Sequence, residues 1–329
     1  MMTIQDALAL VPPPLISAAA SIALVGGLLG AAAILPYAER RLLAAFQERI
    51  GPNRAGPYGI LQFIADMLKI LTKGDRVPEG GDPFIFTLAP AVAATPVLIA
   101  FGVIGFGPGI AVAPINVGVV FILGMAGLTV YGIILGAWAS AGRYGILGGL
   151  RAAAQMLSYE VFMGIALMGV VALSGSFAMD TIVAAQRDLW FIVTQPLGAV
   201  LFFIAGIAAA HRLPFDLPES ENDLVAGYMT DYAGLRFGMF FLGEYLAILL
   251  ISALTATLFL GGWLGPLLPG PLWFGIKTAL LAAFFILLRA ALPRPRYDQL
   301  VSFAWIVALP LALLNLLATG ALVAAGVLP

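Results

Sequence analysis

The sequence predicts an all-α integral membrane protein: one polytopic domain over 1–329, a bundle of about eight transmembrane helices with amphipathic surface helices in the first cytoplasmic loop. Three observations predict this. The chain is 62% hydrophobic and 10% charged, with a mean hydropathy of +1.04, against about 25% charged residues in a soluble domain. Eight apolar runs approach or exceed the roughly 20 residues that cross a bilayer as a helix. Finally, 14 of the 16 basic residues fall in alternate connections, the asymmetry that orients membrane helices.

The eight expected spans are 14–38, 84–107, 115–139, 155–174, 190–211, 236–262, 272–292 and 301–327. Glycine and proline punctuate their ends: Gly107-Pro108-Gly109 after the second, Gly262 and Pro266 after the sixth, Pro293 and Pro295 after the seventh. The first run lacks a basic leader and a small-residue cleavage site, so it reads as a retained helix rather than a signal peptide. Fourteen basic residues lie in connections 39–83, 140–154, 212–235 with its edge at Arg236, and 289–300; only Arg187 lies opposite and Lys277 falls inside a span. Both termini are therefore expected outside, with the large loops cytoplasmic.

In the first cytoplasmic loop, Glu39-Arg40-Arg41 closes the first span and a rigid stretch, Gly51 to Pro57, follows. From Tyr58 the pattern is helical. Gln62, Asp66, Lys69 and Lys73 share one face and apolar residues cover the rest. Such a helix either lies flat at the lipid surface or turns its polar stripe to a cavity opening at membrane level. An Asp66–Lys69 pair suits both.

The fourth span is expected to carry Glu160 one turn from its start, facing the bundle or snorkelling to the surface. Beyond the fifth, Pro214 and Pro218 forbid a helix through Leu213–Leu217, and Pro218 suits the first turn of the next one. Acidic residues crowd here: Asp216, Glu219, Glu221, Asp223, Asp231 and, inside the sixth span, Glu244. Capping of a helix start explains one or two of them. A chain of carboxylates from Glu160 to Glu244 in low dielectric would have raised pKa values, the chemistry of a proton relay. Glu244 and Lys277 can alternatively neutralise each other as a structural pair. The chain has no cysteine and one histidine, His211. That excludes thiolate-ligated iron–sulfur clusters, disulfides and a His-rich metal or haem site here, so redox centres would belong to a partner.

Several motifs together resemble a known family. They are Ala38-Glu39-Arg40-Arg41, Gln47-x-Arg49-x-Gly51-Pro52-Asn53-Arg54-x-Gly56 and Gln62-x-x-Ala65-Asp66-x-x-Lys69; then Ala152-x-x-Gln155-x-x-Ser158-Tyr159-Glu160 and Arg212-x-Pro214-Phe215-Asp216-x-Pro218-Glu219-x-Glu221; and last Gly243-Glu244-Tyr245 and Leu292-Pro293-Arg294-x-Arg296-Tyr297-Asp298-Gln299. They are similar to the H-type subunit of bacterial NADH-quinone oxidoreductase, respiratory complex I, whose mitochondrial counterpart is NADH dehydrogenase subunit 1. The resemblance runs from about residue 35 to 315. It implies a membrane subunit without a complete active site of its own, with quinone as substrate. FMN and iron–sulfur clusters are expected in partner subunits. The implied partners are the peripheral-arm quinone-module subunits, neighbouring membrane subunits and the lipid bilayer, with no nucleic acid. Arg40, Asp66, Lys69, Phe215 and Asp216 are the implied quinone-binding residues. Glu160, Glu219, Glu221, Asp223, Asp231 and Glu244 are the implied proton-coupling path, with the intramembrane Lys277 grouped with them; no residue is implied to be catalytic or to bind metal. The chain departs from the pattern at Asp223 and Asp231, usually Glu, at Gly74, usually an acid, and at Ile306, where Lys is common. A related energy-converting hydrogenase anchor, or a stand-alone secondary transporter, are the alternative readings.

Overall fold

The computed structural model describes residues 13–327, without the side chains of Pro13, Pro14, Ile16, Glu221 and Asn222. The described residues outside loops are helical. Among the described residues, seven helices are long and apolar enough to cross a membrane: α1 (Pro13–Phe46), α3 (Pro83–Phe101), α4 (Gly118–Ala139), α5 (Arg143–Ser174), α10 (Gly234–Phe259), α11 (Gly270–Ala291) and α12 (Tyr297–Ala324). Between them come the amphipathic α2 (Gln62–Thr72), the short α6 (Met179–Ala185) and α7 (Phe191–Thr194), then α8 (Pro196–Ala209) and α9 (Glu221–Leu224).

A helix thus stands at each of the eight expected positions, but the fifth differs. Gln195 leaves helical geometry before Pro196, which has no N–H to continue the ladder. The unbroken part, α8, has 14 residues, about 21 Å at 1.5 Å per residue, short of a bilayer core of about 30 Å. The side chain at the break is held inside the protein: Asn315 donates to Gln195 Oε1 at 2.7 Å, and the Gln195 side-chain amide donates to Thr319 Oγ1.

Two other boundaries moved furthest. The first span continues through Glu39-Arg40-Arg41 to Phe46, because Glu39 and Ala44 are buried and the helix keeps a packed face there. The fourth starts at Arg143, not 155, so Arg143 and Arg151 lie on the helix. Its early glycines are close-approach points: a Cβ on Gly148 would lie 2.6 Å from Tyr228 N, and one on Gly149 2.3 Å from Ala137 Cβ. Contact with neighbours there outweighs the low helix propensity of glycine. Glu160 is therefore about five turns into the helix rather than one.

The segment after α8 was expected to resume as a helix at Pro218. It does not. Residues 212–220 are irregular and α9 begins three residues later. The chain folds back so tightly that a Cβ on Gly227, at φ 56°, would sit 1.6 Å from Pro218 O. That closure holds the acidic segment against the bundle instead of letting it extend as a helix.

Helix α10 is the hub, packing against α1, α2, α3, α8 and α11, while α5 packs against α4, α8 and α12. Two buried apolar clusters result. The larger runs through the bundle and includes Phe101, Phe162, Phe202, Leu246, Ile251 and Phe259. The smaller, around Phe86, Ala137, Met156, Tyr228, Tyr232 and Phe240, closes the basic-rich end. Hydrogen bonds join helix ends: Asp82 N donates to Ala139 O, and Val119 N to Phe177 O. All seven ion pairs among the described residues lie at the basic-rich end.

Gly132 on α4 meets α3 so closely that a Cβ would lie 2.4 Å from Ala93 N, whereas Gly124 on the same helix has open space. Gly132→Val should destabilise the protein by about 1–3 kcal/mol and lower its thermal midpoint in detergent, while Gly124→Ala leaves the midpoint unchanged or slightly raised. Equal midpoints for the two variants would contradict the packing described.

Candidate functional site

A cluster of charges lies inside the basic-rich end, where α1, α10, α11 and the loop after α8 converge. Glu39, from α1, is 3% exposed. It is ion-paired to Arg289 at the end of α11, accepts a hydrogen bond from Tyr245 Oη at 2.7 Å, and lies 3.8 Å from Arg212. Arg212 Nη2 lies 3.3 Å from Glu244 Oε2 on α10, and its guanidinium stacks 4.3 Å from the centre of the Tyr245 ring. Burial works against the Arg212 charge. The surrounding negative groups, Glu244 foremost, outweigh it, so the guanidinium stays protonated above its ordinary pKa.

Glu219 completes the cluster from the folded-back loop. Tyr228 Oη donates to Glu219 Oε1 at 2.7 Å, and Glu219 and Glu244 share a hydrogen bond. Burial first, and then the Glu244 charge, hold the Glu219 carboxyl well above the usual carboxylate range. Two carboxylates can share a hydrogen bond only if one of them holds a proton, so the pair holds one between them. Burial and then the charge on Glu219 likewise push the Tyr228 phenol upward, keeping it a donor.

Beside these groups is a cavity of about 40 Å³, lined among others by Thr129, Met156, His211, Tyr228 and Glu244. It lies between the two apolar clusters. On the scale of about 10–15 Å³ per water it has room for about three or four. His211 is 4% exposed and its pKa is lowered from 6.5 to about 4 by burial. Its Nε2 is buried without a partner among the described residues.

The remaining residues singled out in the sequence fall into separate places. Arg40 is ion-paired with Asp66, which also accepts from Gln62 Nε2 at 2.9 Å. The expected Asp66–Lys69 pair does not form, because Arg40 and Gln62 occupy the carboxylate; Lys69 is exposed. Helix α2 docks through Ile70, whose Cγ2 lies 2.6 Å from where a Cβ on Gly238 would be. It has no buried residue, and Leu61, Ile64, Leu68 and Leu71 form an exposed apolar face.

Phe215 and Asp216 belong to another group. Phe215 O accepts from Gln155 Nε2 at 2.8 Å and its ring lies 5.4 Å from that of Tyr159, while Asp216 pairs with Arg294 at 2.6 Å. No hydrogen bond or ion pair joins this group to Arg40–Asp66 among the described residues.

Of the acids, Glu219 and Glu244 are brought together. Glu160 is half-buried beside Gly127, with Oε1 unpartnered among the described residues. Asp231 lies at the N-terminus of α5, its Oδ2 2.5 Å from where a Cβ on Gly142 would be, as suits a helix dipole. Asp223 is exposed, and the side chain of Glu221 lies outside the described residues.

Lys277 is not paired with Glu244, which is taken by Arg212. It sits at the opposite end of the bundle and donates to Leu260 O, Gly262 O and Leu264 O at 2.6, 3.0 and 2.6 Å. Its Nζ lies 4.4 Å from the centre of the Trp190 ring. There it caps the carbonyl end of α10. Among the described residues no group of three His, Cys, Asp or Glu side chains is placed to hold a metal ion.

The model of a family described as NADH dehydrogenase matches residues 19–320. The chain belongs to the NADH dehydrogenase family. Among its relatives in that family, a protein of Rhodopseudomonas palustris (strain BisB5), named as the first H-type subunit of NADH-quinone oxidoreductase, is 65% identical over 94% of this chain and 98% of its own length. Another of R. palustris (strain ATCC BAA-98 / CGA009), named as the second H-type subunit, is 64% identical over the same shares. One of Cereibacter sphaeroides (strain ATCC 17029 / ATH 2.4.9), also named as a second H-type subunit, is 64% identical over 91% and 94%. As a member of the NADH dehydrogenase family the chain is one subunit of an oxidoreductase complex.

Glu39, Arg289 and Tyr228 were not singled out as site residues from the sequence. Glu39 had a signal: a carboxylate in a segment that remains helical after it. Tyr228 and Arg289 had none, since their roles come from loop closure and helix convergence.

Arg212→Leu would leave Glu39 and Glu244 buried with a single counter-charge. It should cost about 3–5 kcal/mol, read as loss of folded protein in the membrane or a much lower thermal midpoint. His211 gives a pH test. Its lowered pKa means the unfolded chain takes up the proton first, so stability falls as pH drops from about 6.5 to about 4, by up to ~3 kcal/mol. His211→Gln should flatten that part of the stability–pH curve; an unchanged difference between wild type and variant across this range would contradict a buried neutral imidazole.

Proposed function

We propose that this chain is the membrane subunit of a proton-translocating NADH-quinone oxidoreductase of a bacterial inner membrane, forming much of the quinone chamber and the start of the path that couples quinone reduction to proton movement. The observation that carries this is the Glu219–Glu244 pair, two carboxyl groups sharing a hydrogen bond inside an apolar bundle beside Arg212. Membership of the family and the shared name of the relatives supply the reaction.

The chain's own residues have three tasks in this scheme. Arg40, Asp66 and Lys69 guide the quinone at membrane level. The salt-linked Arg40–Asp66 pair provides polar contacts to a headgroup, and the exposed leucine and isoleucine face of α2 is compatible with an isoprenoid tail. Phe215 and Asp216, held by Gln155 and Arg294, form a second wall. Electrons come from FMN and iron–sulfur clusters in partner subunits of the peripheral arm, as the absence of cysteine here requires for thiolate-ligated clusters.

The acids then carry the consequence inward. Reduction of a quinone to a quinol takes up two protons and two electrons, so charge near the chamber changes during each turnover. A proton shared between Glu219 and Glu244 responds to that charge, because either carboxyl can be the acid and Arg212 stabilises whichever is ionised. Glu160, lying deeper along α5, is the next acceptor; Glu221, Asp223 and Asp231 serve the cytoplasmic mouth. Lys277, remote from them, supports the far end of α10, where a proton path to neighbouring membrane subunits would leave the chain.

Glu219→Gln and Glu244→Gln should each lower quinone reduction and proton pumping in the assembled enzyme by about tenfold or more, equivalent to ~1.4 kcal/mol or more in the limiting barrier. If both variants reduce quinone and pump at wild-type rates, the coupling role is wrong.

A further inference from the structure

We propose that His211 is a positioning residue that anchors internal water in the cavity beside Glu244, so that the Glu219–Glu244 pair exchanges its proton with that water. This rests on the proton-coupling function proposed above and names the group that hydrates its central pair.

Three observations meet at this residue. First, His211 is buried at the end of α8 in a left-handed backbone conformation, φ 48°, uncommon for a residue with a side chain. The turn there is fixed by His211 N donating to Ala208 O and Arg212 N to Ile207 O, so the position of the ring is set by the same turn that sets Arg212. Second, its Nε2 is buried and has no partner among the described residues. A buried polar atom in that condition costs about 1–3 kcal/mol unless something outside the protein satisfies it. Third, His211 lines the cavity of about 40 Å³ that Thr129, Glu244 and Tyr228 also line, so a space large enough for water, with a few polar groups in a largely apolar wall, is already at hand.

The cavity has a direction. Glu244 and His211 lie on its α10 and loop side. Thr129 of α4 and Met156 of α5 lie on the other, and Met156 is one helical turn before Glu160 on the same face. Apolar side chains close the rest, including Val97, Ile133 and Phe240. Water in such a site has few polar partners to choose from, and an imidazole nitrogen and a carboxylate oxygen are the strongest of them.

The proton step balances without any further reagent. Glu219 gives its proton to Glu244 through their shared hydrogen bond. Glu244 gives a proton to the water it contacts, and that water passes one of its own protons onward toward Glu160. The water returns to neutral H2O, one carboxylate has been protonated and one deprotonated. His211 stays neutral throughout, and its hydrogen bond fixes the water's orientation rather than receiving the proton.

The test uses the assembled membrane enzyme with His211→Phe, which keeps a flat ring of similar size and removes both nitrogens, and His211→Gln, which restores a hydrogen-bonding group. Infrared difference spectra recorded in H2(18)O and ordinary water identify the O–H stretch of internal water. The expected result is a water band in the wild type that is lost or displaced in His211→Phe and returns in His211→Gln. Proton translocation should fall about two- to tenfold in His211→Phe, the worth of one hydrogen bond, with recovery in His211→Gln. A purely structural role would leave the water band in place while lowering the amount of assembled enzyme. If His211→Phe does not assemble, the wild-type and His211→Gln spectra decide: no isotope-sensitive water band in either overturns the proposal. A band and pumping rate unaltered in an assembled His211→Phe also overturn it. If Glu244→Gln still impairs pumping in that case, the coupling function stands and only the role of His211 falls; if Glu219→Gln and Glu244→Gln pump normally, the underlying function falls instead.

Discussion

The structure depends on keeping ionised groups inside a bundle whose walls are hydrocarbon. Taking a carboxylate or guanidinium out of water costs several kcal/mol per ion even after relaxation, and the cost is recovered only where geometry supplies counter-charge and hydrogen bonds. Glu39, Arg212, Glu244 and Arg289 supply counter-charge to one another together, not in pairs, while Arg212 Nε and Nη2 keep no hydrogen-bond partner among the described residues. Arg212 faces two carboxylates, Glu39 faces two guanidiniums, and Tyr245 serves both as donor to Glu39 and as an aromatic floor under Arg212. Because α1, α10, α11 and the loop after α8 each contribute a member, the cluster also fixes how those elements meet.

Glu219 is what makes this more than a structural clasp. Counting only the neighbouring ions, Arg212 and Arg289 balance Glu39 and Glu244. A third carboxyl has no counter-charge left; burial and the Glu244 charge hold it well above the usual carboxylate range, which favours its protonated form, and it accepts a hydrogen bond from Tyr228. A proton held for lack of a counter-charge is sensitive to any change of charge nearby. That sensitivity is the physical content of coupling, and it arises from the fold-back of residues 212–227 on Gly227 rather than from any unusual side chain. The far end of α10 is secured differently: Lys277 satisfies three backbone carbonyls, and Gln186 bridges Thr257 O and Gly261 N. The hub helix is thus anchored by neutral and cationic groups at one end and by the acidic cluster at the other.

Much of this was legible in the residues. Hydrophobic run length placed a helix at each of the eight positions, and the distribution of Lys and Arg separated the two ends, because both signals come from the bilayer and not from tertiary detail. The amphipathic α2 followed from the spacing of Gln62, Asp66 and Lys69. What was not legible depended on contacts between distant segments. Helix α5 extends to Arg143 because Gly148 and Gly149 let neighbours approach, which no local propensity records. Pro218 looked like a helix start, but Gly227 packs on its carbonyl. Asp66 looked ready to pair with Lys69, yet Arg40, 26 residues earlier, takes it. Glu244 and Lys277 looked like partners within the membrane because both are rare there; the direction of α10 and α11 puts them at opposite ends. The acids looked like one continuous chain, whereas the fold joins Glu219 to Glu244, sets Asp231 at a helix N-terminus and leaves Asp223 to solvent.

The most direct measurement is the protonation state of the central pair. Infrared difference spectroscopy of the assembled enzyme at neutral pH distinguishes a protonated carboxyl from a carboxylate by its C=O stretch. A protonated carboxyl band at neutral pH that disappears in Glu219→Gln is the predicted result. A spectrum with Glu219 and Glu244 both ionised at neutral pH, and no such band, would contradict the shared proton on which the account rests.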